Sequence, residues 1–176
     1  DMVKGLGSKK VRLEHIDRRK FIPVKIEKGK SLTSWEIYEQ AISADVYINV
    51  PVAKHHGLSR LSLGLKNSMG VIGGNRGRLH HDLGQQLADL ATVVTPTLSV
   101  IDATRILLRD GPQGGNLQDV KQLDQVIASA DPVAADAYGT TLFGLAPKDI
   151  SSTVAAHKMG LGQMDLGKVN VIKATL

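Results

Sequence analysis

The chain has 176 residues, 42 % hydrophobic and 22 % charged, which suits one globular domain with its own core. It contains no cysteine, which excludes disulfides, thiol nucleophiles and a cysteine-held iron–sulfur cluster within this chain. The formal net charge of +5 favours anionic partners, and no apolar run approaches the roughly 20 residues that span a bilayer.

In chain order, Val11–Ile16 and Phe21–Ile26 read as short strands, with Lys28-Gly29-Lys30 as a turn. Thr33 and Glu36 have capping-box spacing and predict a helix over Ser34–Ser43. Asp45–Val50 (DVYINV) reads as a buried strand closed by Pro51. Leu58, Leu61, Leu65, Met69 and Ile72 recur at helical steps. Residues 73–78 (GGNRGR) must form a loop, and Leu79, Leu83, Leu87, Leu90 and Val94 predict a helix ended by Pro96. Leu98–Asp102 (LSVID) is a second buried strand, with an extended path over Arg105–Arg109 and a glycine-rich loop over Asp110–Gly115. Gln122–Ser129 reads as a third strand. Asp131-Pro132 opens a helix to about Leu142. Ser152–Met159 is a short helix stopped by Gly160, and Lys168–Lys173 a final strand. Buried strands alternating with amphipathic helices predict an α/β fold, a mostly parallel sheet flanked by helices, with a short β-rich N-terminal segment.

The basic residues Lys4, Lys9, Lys10, Arg12, Arg18, Arg19, Lys20, Lys25, Lys28 and Lys30 read as a solvated basic edge. Nucleic acid ranks third among the partner classes: aromatics are 3 %, too few for stacking platforms, and no helix-turn-helix or zinc-finger spacing is present.

The chemistry concentrates in Asn49–His81, which holds the pairs His55–His56 and His80–His81 with Lys54, Lys66, Asn67, Arg76 and Arg78. In open α/β sheets, ligands bind beyond the carboxyl ends of the strands. Three predicted strands deliver polar groups there: Asn49, Lys54, His55 and His56 from the first, Asp102 and Arg105 from the second, Ser129 and Asp131 from the third. Without cysteine, any metal needs His, Asp, Glu or Asn ligands. One histidine of each pair, His55 and His80, with Asp102 or Asp131, makes a candidate divalent-metal set. Adjacent histidines point in different directions, so His56 and His81 are not paired with them as ligands. Gly74, Arg76 and Arg78, ahead of a helix, form a candidate anion cradle, joined by Lys54, Lys66 and Asn67. The loop matches neither the Walker nor the dinucleotide fingerprint. His15 and His157 read as isolated histidines, and no nucleophile-elbow pattern accompanies Ser59, Ser62 or Ser68.

The motifs ADVYINVPVAKHHG, LKNSMG, GGNRGRLHH, VIDA, DGPQGG, DPVAADA and MGLG stand in that order from Ala44 to about Asp165. In this they resemble domain-of-unknown-function family 362. The resemblance implies an α/β domain found beside ferredoxin-like iron–sulfur modules or on proteins exported with a twin-arginine signal. It implies a metal-linked or redox role, with Lys54, His55, Lys66, Asn67, His80, Asp102, Asp131 and Asp136 forming the site; His56 departs from the pattern. It also implies that residues 1–176 are one α/β domain, the C-terminal part of a longer family domain.

The expectation is therefore a metal- or anion-binding α/β protein in redox or cofactor metabolism, with an anionic small molecule and a redox protein as partners. Its location is exported if the twin-arginine association holds and cytoplasmic otherwise. The alternative is a non-catalytic anion-binding module or accessory subunit of a redox partner. Whether the chain is an enzyme stays open.

Overall fold

The computed structural model describes residues 11–175; Lys4, Lys9 and Lys10 of the expected basic edge lie outside them. Val11–Ile16 forms no strand, and Val11, Leu13 and Ile16 are exposed. A hairpin follows, in which β1 (Phe21–Lys25) pairs antiparallel with β2 (Ser34–Tyr38), Val24 opposite Trp35. The helix expected from Ser34 starts only at Glu39, as α1 (Glu39–Ser43). Over Ser34–Tyr38 the aromatic and β-branched residues suit a pleated surface. Ile37 is fully buried there, and Ile26 donates its amide to the carbonyl of Thr33, the residue expected to cap a helix.

The main sheet is mixed. Its central strand β6 (Leu98–Leu107) runs parallel to β3 (Ile48–Asn49) and β4 (Val52–His56), which lie end to end along one edge of it. β4 continues the sheet through an antiparallel hairpin to β5 (Arg60–Ser62), and β7 (Val120–Ser129) pairs antiparallel with the other edge of β6. The predicted α/β architecture, its flanking helices and its β-rich N-terminal segment are therefore present.

Residues 58–72 do not form the single helix that their spacing predicts. The stretch divides into β5, the short helix α2 (Gly64–Asn67) and a 3-10 turn over Ser68–Val71. The physical reason is visible in where the apolar residues go. Leu61 packs against the sheet with Ile101 and Ala135, Leu65 with Val133 and Ala156, and Ile72 with Ile37 and Leu87. Three separate clusters draw the chain apart, and tertiary burial outweighs the modest helix propensity of a stretch containing Gly64.

The helix expected from Leu79 begins as a 3-10 stretch over Arg76–Asp82 and becomes α3 (Leu83–Ala91). α4 (Pro132–Thr141) and α5 (Ser151–Lys158) follow the sheet. Lys168–Lys173 is not a strand; it follows a 3-10 turn, and Ile172 is exposed. Ala53, Ile101, Ala103 and Ile106 turn one face of the sheet toward Ala135 of α4. Val52, Asp102 and Val126 stand in one row on the opposite face, where Ile48, Val50, Val52 and Val126 are exposed. None of the helices in the described residues is long and apolar enough to cross a membrane.

Candidate functional site

Pro51 ends the first short strand and the chain resumes as β4, whose Lys54 stands opposite Ser62 of β5. Buried Leu63 then leads into α2, which carries Lys66 and Asn67. A buried polar network holds α2 in place. The Asp136 carboxylate, from α4, accepts from the amides of Gly64 (2.6 Å) and Leu65 (3.0 Å). Asn49 donates through Nδ2 to the Gly64 carbonyl at 2.9 Å, and its Oδ1 accepts from Asn67 Nδ2 at 2.7 Å. Gly64 is required by this close approach, since a Cβ there would lie 2.8 Å from Asp136 Oδ1. Beyond α2, the 3-10 turn carries Met69 and Gly70, and Arg76 donates from Nη1 to the Met69 carbonyl at 3.2 Å.

These elements enclose an open cleft of about 280 Å³, lined on its polar side by Lys54, Ser62, Lys66, Asn67 and Arg76, and on its apolar side by Pro51, Val52, Leu63 and Met69. No aspartate or glutamate lines it. Among the described residues, Lys54, Lys66 and Arg76 form no ion pair, whereas Arg19, Arg60 and Arg109 pair with Asp17, Asp149 and Asp119. Among the described residues, the hydrogen-bond partner of Lys66 Nζ is the Met69 thioether, at 3.4 Å. Burial, and then the charge of Lys54, hold the Lys66 amine below the ordinary lysine range. His56 is held below the ordinary histidine range by burial first and then by Lys66, His80, His55 and Lys54. Positive groups therefore gather around this cleft without internal compensation.

Of the expected ligand-binding residues, Lys54, Lys66, Asn67 and Arg76 are brought together. Gly74 and Arg78 are not among the cleft residues. Gly74 backs onto the Glu36 carboxylate, and Asn75 Oδ1 accepts from the Gly77 amide, so the expected glycine cradle caps itself. Arg78 is exposed on the 3-10 stretch.

The expected metal set of His55, His80, Asp102 and Asp131 does not assemble: among the described residues, no group of three or more His, Asp or Glu could hold an ion. The strand directions explain this. β7 is antiparallel, so Ser129 pairs with Ser99 at the start of β6, while Lys54 pairs with Leu107 at its end. Asp131 thus lies at the opposite end of the sheet from His55. Each residue of the set also has a local partner. His55 Nδ1 accepts from the Gly111 amide at 3.1 Å, and His80 Nδ1 lies 3.1 Å from the Gly77 carbonyl. Asp102 accepts from the Thr104 amide and hydroxyl, which lower its pKa. Asp131 caps α4 through the amides of Val133 and Ala134, and its other oxygen accepts from Gln163. Gly162 of the late GLG turn packs so close to that carboxylate that a Cβ would collide with it.

Ser62, Leu63, Met69 and Gly70 were not expected as cleft residues. Gly70 and Met69 stand inside the LKNSMG motif already singled out for Lys66 and Asn67, so that motif was the available signal.

The family model described as Domain of unknown function (DUF362) matches residues 2–141. The match takes in the N-terminal and central part of the chain, which corrects the expectation of a C-terminal portion of the family domain. The Thylakoid-associated protein sll1697 of Synechocystis sp. (strain ATCC 27184 / PCC 6803 / Kazusa) is 28 % identical over 139 residues. That alignment covers 74 % of this chain and 42 % of the relative, so the chain spans less than half of the relative's length. No solved structure matches the chain.

Proposed function

The chain belongs to the DUF362 domain family, and on that premise we propose that its cleft binds a small anion bearing a phosphate or carboxylate group. The observation that carries this reading is the convergence of Lys54, Lys66 and Arg76 on one cleft with no carboxylate among its lining residues. Gathering like charges costs free energy, and an anionic occupant offsets that cost. Arg76 supplies a fork that matches two oxygens of phosphate or carboxylate. Lys54 and Lys66 supply point charges. Asn67 has one amide hydrogen committed to Asn49 and a second, with no acceptor among the described residues, to offer a ligand oxygen.

Titration calorimetry with inorganic phosphate and pyrophosphate at low salt tests the proposal. The wild type binds, and Lys66→Met and Arg76→Ala each weaken binding about tenfold or more, the value of one charge-assisted hydrogen bond. Added salt weakens it further. Equal affinity in the wild type and the double variant would sink the proposal.

A further inference from the structure

We propose that the Lys66 amine is a nucleophile that condenses with the aldehyde or ketone group of an anionic ligand held in the cleft. The inference rests on the anion-binding reading and names the ligand's second functional group. Two features distinguish Lys66 from a simple anion clamp. Its Nζ faces a thioether, Met69 Sδ at 3.4 Å, which is a weak acceptor and supplies no counter-charge. Its backbone is fixed by buried groups: Asp136 holds the first two amides of α2, and Asn49 ties Gly64 to Asn67. A lysine deprived of a counter-ion, half-buried and placed beside another cation spends more time as the neutral amine. This is the environment in which lysines act as Schiff-base nucleophiles. Arg76 and Lys54 remain to hold the anionic group of the same ligand.

The step balances without a co-reactant. The neutral amine's lone pair attacks the carbonyl carbon, a C–N bond forms, and the carbonyl π pair moves to oxygen. That oxygen takes up a proton while nitrogen loses one, giving a carbinolamine. Loss of water then leaves a C=N bond between Lys66 and the ligand. Hydrolysis in this open cleft reverses the sequence and returns both the amine and the carbonyl.

The test is adduct trapping on the intact chain. Wild type is treated near neutral pH with pyridoxal 5′-phosphate or with pyridoxal at limiting concentration, reduced with borohydride and mapped by mass spectrometry; inorganic phosphate binding is measured separately. Each unit by which an amine's pKa falls raises its reactive fraction about tenfold. Burial and Lys54 lower the Lys66 pKa, so Lys66 is expected to carry more adduct than any other of the 14 lysines in the chain. The phosphorylated probe should label it more than pyridoxal does, free phosphate should compete, and Lys66→Arg should remove the adduct. Adduct spread evenly over the lysines, or concentrated on Lys54, overturns the nucleophile while phosphate binding keeps the anion reading. Preferential labelling of Lys66 by both probes alike, without phosphate binding, keeps the nucleophile and overturns the anionic ligand.

Discussion

The acidic and basic residues expected at one site have opposite fates. Asp131, Asp136 and Asp102, like Asp89 elsewhere in the core, spend their oxygens on protein donors, mostly backbone amides. Lys54, Lys66 and Arg76 share a cleft and have no carboxylate partner among the described residues. A carboxylate can be satisfied by the amides of a helix start or turn that the fold itself creates. A half-buried lysine is a donor only and needs an acceptor, and the one that Lys66 meets is the weakly accepting Met69 thioether. Lys54, Lys66 and Arg76 line the cleft, while Asp136 and Asn49 build its frame.

The largest expected effect is at Asp136. Burial pushes its carboxyl up to about 7, against the opposing effect of the Leu65 and Gly64 amides. An acid with a folded pKa above its unfolded value holds its proton longer in the native state. Stability from this group is therefore full below about pH 4 and lost as pH rises toward 7, by up to about 4 kcal/mol. His56, with a lowered pKa, contributes the opposite slope near neutrality. The comparison of wild type with Asp136→Asn cancels it. Urea denaturation between pH 4 and pH 7.5 should show the wild type losing stability relative to Asp136→Asn; parallel profiles would remove the buried-acid assignment.

Asp89 is the next largest. It is fully buried and accepts from the amides of Lys30, Ser31 and Leu32 and from Gln85. Burial raises its pKa, but these hydrogen bonds outweigh it and the net shift is downward. Asp89→Ala leaves three backbone amides without their acceptor and should cost about 3 kcal/mol by chemical denaturation. Asp131→Ala removes the α4 cap and the tie to Gln163, for about 2 kcal/mol. It should leave phosphate affinity unchanged, because Asp131 lies at the far end of the sheet. A loss of phosphate binding there would restore it to the site. The smallest expected stability change is at Lys66→Met, within about 1 kcal/mol and in the stabilising direction, since an uncompensated charge is removed from a half-buried position. A large destabilisation would show that Lys66 belongs to the frame.

Local chemistry was readable in the residues. Asp131-Pro132 predicts the start of α4 because a side-chain cap and a preset proline φ act within one turn. LSVID predicts the start of β6, which continues to Leu107. Lys66, Asn67, Met69 and Gly70 of the LKNSMG stretch line the cleft, although the apolar spacing around it predicts one long helix. That spacing was misleading because Leu61 and Leu65 join different clusters and Leu58 is exposed, and periodicity cannot say which surface an apolar residue meets.

By itself, the sequence determined the α/β class, the cysteine-free chemistry, the helix start at Asp131 and the basic character of Asn49–His81. Only the tertiary structure decided which charged residues meet. The antiparallel course of β7 carries Asp131 away from His55, and the fold at Gly64 brings Lys66 into a cleft with Lys54 and Arg76. Strand direction is set by the connections and cores on which a whole chain settles, whereas caps and breaks are set by neighbours a few residues away.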